Sequence, residues 1–274
     1  MNLKIIFFRS LIIIMSTIFI IGCGDFDINK CQSDEECGPI IEIKKISDKL
    51  PDSPNDPIWS SGKVAKPAKA TLGPQLITNP QWPNPATKEV RIQAATNGDE
   101  IAILLEWDDS SHSKKVSHSD MYTDQAAVMF PVRLDKEAPP ITMGAEGYSM
   151  NIWQWKEILE KPEKKNLFSG PGPLSRPNQV NQKLDQDQTK SPIEDLNAEG
   201  FSTLTYQDHQ DIKGKGVWAN DKWRVLFRRK LKTSDNNDAQ ITKNYLMAVA
   251  IWNGANRERN GQKGLSQWVY LKFV

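Results

Sequence analysis

Hydrophobic and polar residues alternate along much of the chain, which is the pattern of half-buried β-strands. In the segment VRIQAATNGDEIAILLEWDD, the apolar residues Val90, Ile92 and Ala94 alternate with polar ones, and Ile101–Trp107 supplies a return strand. The Asn-Gly pair between the two runs favours the positive φ angles of a tight turn. This segment therefore predicts an antiparallel hairpin.

Further strand-like runs follow, separated by turn residues, and Asn220-Asp221 offers a second tight turn. We predict these additional strands at 125–134, 149–155, 217–218, 223–231, 245–252 and 268–273. This number of short strands is typical of a β-sandwich. The sequence thus predicts a mainly β protein.

The first 22 residues have a different pattern. Lys4 and Arg9 precede an apolar run, and Gly22 stands directly before Cys23. A membrane-spanning helix needs about 20 apolar residues, and the run after Arg9 is about half of that. The pattern favours a cleaved lipoprotein leader over an uncleaved signal anchor. Cys23 would then carry the lipid, which predicts a protein anchored on the periplasmic side of a bacterial membrane.

Residues 23–57 lack an apolar period, and KLPDSPNDP is rich in Pro, Asp and Ser. We predict that 23–57 is an acidic flexible tether and that 58–274 is the β domain. Residues 161–195 hold five prolines and few large apolar side chains. They predict a long irregular insertion that contacts a partner or is disordered, preceded by a short helix at 151–160.

Charge and cysteine content narrow the function classes. Without the two basic residues of the leader, 33 Lys and Arg stand against 34 Asp and Glu, so the balance does not point to a nucleic-acid partner. Cys31 and Cys37 lie six positions apart in NKCQSDEECGP, which outside the cytoplasm favours a small disulfide loop over a metal site. The sequence contains no CxxCH motif, which excludes a covalently attached c-type haem.

The three histidines give a weak metal signal. His112 and His118 lie in the polar segment SSHSKKVSHSD, and His209 stands alone. Without a nearby cysteine or carboxylate pattern, we interpret the pair as part of a solvated loop. The sequence also contains no nucleophile elbow, phosphate loop or dinucleotide fingerprint, so an enzymatic reading has little support.

Four blocks rich in aromatic residues and methionine stand out: DQAAVMFPV, PPITMGAEGYSMNIWQW, GKGVWANDKWRVLFRRKL and AVAIWNGANRERNGQKGLSQW. Each alone is typical of a β core. Together and in this order, they resemble the haem b gamma subunit of type II enzymes of the dimethyl sulfoxide reductase family, over roughly residues 59–273. That family includes ethylbenzene dehydrogenase, dimethyl sulfide dehydrogenase, selenate and chlorate reductases, and related nitrite oxidoreductases.

The resemblance implies an immunoglobulin-like antiparallel β-sandwich with long irregular insertions and one haem b. It implies a non-catalytic subunit that relays electrons through an iron–sulfur beta subunit to a molybdopterin catalytic alpha subunit, with a cytochrome c or the membrane quinone system at the other end. By position, the haem ligands would be Met143 of PPITMG and Lys263 of GQKGLSQW.

Met150 and Met129 are alternative thioethers, and Lys215 is the alternative amine. A thioether favours ferrous iron, whereas lysine binds iron only as the free amine, which burial favours.

Two further readings stay open at this point. A tryptophan-rich sandwich could stack Trp59, Trp82 or Trp107 against sugars. The chain could also be a structural envelope lipoprotein without a cofactor.

Overall fold

A computed structural model describes residues 38–47, 49–113, 120–134, 138–160 and 191–274, and in these ranges the protein is mainly β. The strands are β1 (Ile40–Lys45), β2 (Ala68–Gly73), β3 (Glu89–Thr96), β4 (Glu100–Asp108), β5 (Gln125–Pro131), β6 (Met150–Lys156), β7 (Ile193–Ala198), β8 (Thr205–Tyr206), β9 (Lys213–Ala219), β10 (Lys222–Lys230), β11 (Tyr245–Trp252), β12 (Gly264–Ser266) and β13 (Val269–Phe273). Short 3-10 segments occupy Pro57–Ser60, Glu157–Leu159 and Gly254–Asn256. Among the described residues, none of the helical segments has the length and hydrophobicity of a membrane-spanning helix.

The strands follow the order β8-β7-β6-β5-β11-β12-β2-β3-β4-β10-β9 and pack as the two layers of a sandwich. Neighbours along this order are antiparallel. The exception lies off the path, where β1 pairs in parallel with both β13 and β3. The predicted mainly β sandwich is therefore confirmed.

The two layers enclose a core built from alternate residues of each strand. Four tryptophans lie in it. Trp107, Trp155 and Trp223 contact one another, with ring centroids 4.7–6.4 Å apart, and Trp153 packs against Phe130. Because successive side chains of a strand point to opposite faces, the residues between these tryptophans lie on the outer faces. The aromatic blocks thus supply the core with one set of residues and an outer face with the other.

Both predicted tight turns are present. In the β3–β4 hairpin, Thr96 pairs with Ile101, and Gly98 has a φ of 103°. The Asn97 side chain accepts hydrogen bonds from the backbone amides of Asp99 and Glu100. Between β9 and β10, Asn220 and Asp221 have φ angles of 52° and 55°. Asparagine, aspartate and glycine tolerate this region best, so local chemistry sets the register of both hairpins.

The predicted tether ends earlier than expected. β1 lies within it, and Ile41 and Ile43 are buried where the strand pairs with β13 and β3. Leu50 is also buried, against the outer face of the β3–β4–β10 layer. The described residues 38–57 therefore belong to the β domain, and the boundary at residue 58 is wrong. Two isoleucines on either side of one glutamate, within an acidic segment, are too short a pattern to predict a strand.

The short helix predicted at 151–160 is also wrong. Residues up to Lys156 form β6, which pairs with β5 and β7 along its length, and only Glu157–Leu159 adopt a 3-10 turn. The predicted insertion ends earlier than expected as well, because Ile193 begins β7. Pairing on both edges decides the conformation of this segment. Residues 161–190 lie outside the described part.

Candidate functional site

A cavity of about 680 Å³ lies on the outer face of the layer formed by β11, β5, β6 and β7. Its floor consists of the outward residues of these strands, among them Ala127, Met129, Ile152, Ala248 and Ala250. In the register, Ala127 is paired with Ala250 and Met129 with Ala248. Three alanines in adjacent strands leave a flat, shallow surface. Loops from 75–77, 121–123, 141–143, 201–206 and 259–265 form the walls.

Met143 enters the cavity from a strained turn. Its φ is 67°, and Gly144 follows with a φ of 84°. A Cβ on Gly144 would lie 2.1 Å from the carbonyl oxygen of Tyr148, so only glycine fits there. The carbonyl of Met143 also accepts a hydrogen bond from the Gly200 amide at 2.9 Å. Left-handed conformations cost a non-glycine residue about 1–2 kcal/mol, which these contacts offset, and the side chain is held toward the cavity.

Lys263 enters from the opposite wall. It follows the small hairpin in which Arg259 and Gln262 pair, and it directly precedes β12. The side chain is buried, with 6 % of the residue exposed, and its Nζ lies 4.8 Å from the centre of the Trp252 ring. Among the described residues, no carboxylate forms an ion pair with it, and burial lowers its pKa from 10.5 to about 8. Lys263 therefore loses its proton far more readily than an ordinary lysine, which favours binding of a metal by its amine.

These two walls bring the predicted ligand pair together. The Nζ of Lys263 lies 4.0 Å from the Sδ of Met143. Metal–sulfur and metal–nitrogen bonds in proteins are about 2.3 Å and about 2.0 Å long, as for zinc, so one metal ion could contact both donor atoms with little movement of either side chain. A soft thioether and a buried amine of lowered pKa, above a flat apolar floor, are residues that could hold a haem iron. The cavity is also within the range of about 300–1,000 Å³ of ligand and cofactor pockets.

The segment that carries Lys263 is fixed by a carboxylate that the sequence reading missed. Glu258 is fully buried and accepts hydrogen bonds from the Trp82 indole at 3.0 Å, the Ala86 amide at 2.7 Å and the Asn253 amide at 2.8 Å. The side-chain amide of Asn256 is a fourth donor, at 2.9 Å. Hydrogen bonds to a buried carboxylate are among the strong ones. Glu258 therefore connects the β2–β3 loop, which carries Trp82 and Ala86, to the loop that presents Lys263.

A second, half-buried lysine at the far end of the cavity has a different environment. Lys156 lies 2.5 Å from the Glu194 carboxylate, and Tyr206 donates to the same carboxylate at 3.1 Å. Burial acts to lower the pKa of Lys156, but the charge of Glu194 and the Tyr206 hydroxyl raise it overall. Burial also raises the pKa of Tyr206 to about 12. Lys156 stays protonated and paired, which leaves Lys263 as the amine suited to bind a metal.

The alternative ligands occupy different places. Met129 lines the cavity floor. Met150 is fully buried beneath the turn at Gly144, and its Cγ would lie 3.1 Å from a Cβ added to that glycine. It does not line the cavity. Lys215 is exposed on β9, at the edge of the other layer. Met129 therefore lies near Met143 and Lys263, whereas Lys215 lies on the other layer, away from the cavity.

His112 is not in a solvated loop, contrary to the prediction. It is half-buried, stacks on Trp218 with ring centroids 4.9 Å apart, and its Nε2 lies 3.0 Å from Glu157 Oε1. His209 is exposed and lies 3.4 Å from Asp235. His118, Cys23, Cys31 and Cys37 lie outside the described residues.

The tryptophans considered for sugar stacking do not form an exposed platform. Trp59 and Trp107 are 5 % and 0 % exposed. Trp82 is half-buried, and its indole N–H is bonded to Glu258. A sugar ring needs an open aromatic face, so this reading loses its support from these residues.

The chain matches the model of the ethylbenzene dehydrogenase family over residues 56–264. A Haloferax mediterranei protein assigned as the heme subunit of a respiratory nitrate reductase is 24 % identical over 83 % of this chain and 70 % of its own length. The chlorate reductase subunit gamma of Ideonella dechloratans is 24 % identical over 85 % and 84 %. The dimethylsulfide dehydrogenase subunit gamma of Rhodovulum sulfidophilum is 23 % identical over 88 % and 82 %.

Solved structures give weaker likenesses. A family 9 carbohydrate-binding module from Caldicellulosiruptor kristjanssonii has a TM-score of 0.41 and 11 % identity over 86 % of this chain and 94 % of its own. A Bacteroides uniformis protein assigned as carbohydrate-binding has a TM-score of 0.45 and 8 % identity over 86 % and 99 %.

Proposed function

The chain belongs to the ethylbenzene dehydrogenase family, and on this premise we propose that it is a non-catalytic electron-transfer subunit of a molybdenum-containing oxidoreductase complex. Relatives named as gamma subunits of chlorate reductase and dimethylsulfide dehydrogenase support this assignment. The observation that carries it is the approach of Met143 and Lys263 to 4.0 Å within one cavity.

In this proposal the cavity would hold one haem b, and Met143 and Lys263 would be the residues that bind its iron. The bound haem supplies one-electron chemistry at the iron. The chain supplies the rest: a thioether held by a strained turn, an amine whose pKa burial has already lowered, and a floor of small apolar side chains. Because Met143 and Lys263 would both bind the iron, no substrate would bind there, which suits electron transfer.

The partners follow from the same assignment. An iron–sulfur beta subunit would exchange electrons with the haem and pass them to or from a molybdopterin alpha subunit. A cytochrome c or the membrane quinone system would serve the other side. The exposed apolar residues at the cavity rim, Ile77, Met121, Phe201 and Leu204, support an approach of a partner near the haem.

An absorption spectrum tests the cofactor. Protein purified from haem-replete cells should show a Soret band, and acidified organic solvent should extract the haem, because no CxxCH motif is present for covalent attachment. Colourless protein, or haem that resists extraction, would overturn the haem b assignment.

We propose that the protein lies on the periplasmic face of a bacterial membrane, anchored by a lipid on Cys23. Replacing Cys23 with serine should abolish incorporation of labelled fatty acid and maturation at that residue. A matched Cys31→Ser variant should be labelled as the wild type is. Wild-type labelling of Cys23→Ser would reject the anchor.

A further inference from the structure

The charged residues of the cavity leave an excess of positive charge. Of the described residues that line it, one is acidic and three are basic: Glu194, Lys156, Arg259 and Lys263. Glu194 and Lys156 lie 2.5 Å apart, so their charges cancel. Lys263 is neutral when its amine binds a metal, whereas the guanidinium of Arg259 keeps its charge at any physiological pH. A molecule that fills this cavity should therefore carry negative charge.

Arg259 lies at the mouth of the cavity, between its interior and the solvent. The residue is half-buried, and Met121 and Asn260, which line the cavity beside it, are exposed. The guanidinium carbon of Arg259 lies 4.8 Å from the centre of the Tyr122 ring, and Tyr122 also lines the cavity. Contact with an aromatic ring uses the face of a guanidinium and leaves the N–H groups of its edge for other partners.

The donors of this guanidinium are largely unused within the described ranges. Nη1 of Arg259 donates to the Arg257 carbonyl at 2.9 Å, and no described carboxylate forms an ion pair with Arg259. Arg257 differs, because it is exposed and its Nη2 lies 3.2 Å from Asp120. A guanidinium has five N–H donors and makes its strongest hydrogen bonds to a carboxylate. Arg259 is therefore available to a carboxylate that arrives with the ligand.

The backbone that carries Arg259 is fixed on both sides. Arg259 and Gln262 exchange backbone hydrogen bonds of 3.0 Å and 2.8 Å. The Trp252 indole donates to the Asn260 carbonyl at 2.9 Å, and the preceding Glu258 carboxylate accepts four hydrogen bonds. A side chain on a fixed backbone loses less conformational freedom when it binds a ligand. Arg259 is thus held in place at the cavity mouth.

We propose that Arg259 binds a carboxylate of the cavity's ligand, which is a propionate of haem b. The inference rests on the proposed function and adds which edge of the porphyrin faces the mouth beside Tyr122. A ligand with a flat apolar body and carboxylates at one edge matches the apolar floor and the single unbalanced cation. Lys156 is not available in the same way, since Glu194 is 6 % exposed and would lose its paired charge.

Titration of the haem-free full chain with haem b and with haem b dimethyl ester, in the same non-ionic detergent, tests the inference. The ester keeps the iron and the porphyrin plane but has no charged carboxylate. Arg259→Gln should weaken the binding of haem b by about tenfold or more and should bind the ester as the wild type does. The control Arg257→Gln, at the exposed position paired with Asp120, should bind both porphyrins as the wild type does.

Wild-type binding of haem b by Arg259→Gln, or an equal loss for haem b and its ester, would overturn the role of Arg259 and leave the cofactor assignment in place. A loss of haem b affinity in Arg257→Gln as large as that in Arg259→Gln would overturn it as well. A wild-type chain that binds neither porphyrin would contradict the proposed function, and this inference with it. The two failures are therefore distinguishable.

Discussion

The Sδ of Met143 and the Nζ of Lys263 lie 4.0 Å apart although 120 positions separate the two residues in the chain. Each side chain comes from a loop on a different wall of the cavity, and each loop is fixed by its own contacts. Gly144 shapes the first, and the Glu258 carboxylate fixes the second. A ligand bridging the two atoms would connect both walls, so haem binding and the order of these loops should depend on each other.

Replacing Met143 with leucine should remove one axial ligand while keeping side-chain volume. We expect a low-spin six-coordinate spectrum to become high-spin, or haem occupancy to fall, because leucine has no donor atom. Met129→Leu is the matched control, since Met129 is a thioether in the same cavity, and it should stay low-spin. A low-spin spectrum of Met143→Leu with full occupancy would reject Met143, and loss of low-spin character in Met129→Leu would transfer the role to that residue.

The buried amine makes haem-free protein less stable at neutral pH. The pKa of Lys263 is about 8 in the fold and 10.5 ordinarily, so between these values the unfolded chain binds more protons and stability rises with pH. Below about pH 8 the buried charge lowers the free energy of unfolding by a constant amount, on the order of 3 kcal/mol.

Lys263→Met should therefore stabilise the haem-free chain at pH 7, and the gain should shrink between pH 8 and 10.5. Denaturant unfolding of both proteins across this range measures it. The matched control Lys215→Met, at an exposed position on β9, should not stabilise the chain at pH 7. A gain for Lys263→Met that does not change over this pH range would contradict the lowered pKa.

Glu258→Ala should loosen the segment that carries Lys263. Four donors lose their buried acceptor, and the expected loss of unfolding free energy is on the order of 3 kcal/mol. In the loaded protein, haem affinity should fall while the ligand residues stay in place, so the spectrum at saturating haem should still be low-spin. Glu258→Gln keeps one acceptor oxygen and should lose less. Unchanged stability and haem affinity in Glu258→Ala would show that this carboxylate does not position the loop.

Much of the fold was visible in the sequence because period-two patterns with Asn-Gly or Asn-Asp turns determine hairpins locally. β3, β4, β9 and β10 follow from such signals, whereas β11 follows from a continuous apolar run. β1 and β12 do not, because they are short and form only through pairing with distant strands.

The candidate site could be assigned only in part. The proposed identities of Met143 and Lys263 came from a family resemblance, since neither residue has a local pattern that distinguishes it from a core methionine or a surface lysine. Glu258 was missed because nothing in RERNG separates a buried glutamate from an exposed one. Its partners, Trp82 and Ala86, lie more than 170 positions away.

The absorption spectrum of Lys263→Ala compared with Lys215→Ala tests the central claim most directly. Both variants remove one lysine amine, but Lys263 is buried beside Met143 and Lys215 is exposed on β9. We expect Lys263→Ala to give a high-spin or haem-poor protein and Lys215→Ala to keep the wild-type low-spin spectrum and occupancy. A low-spin spectrum with full haem occupancy in Lys263→Ala would contradict the proposed ligation.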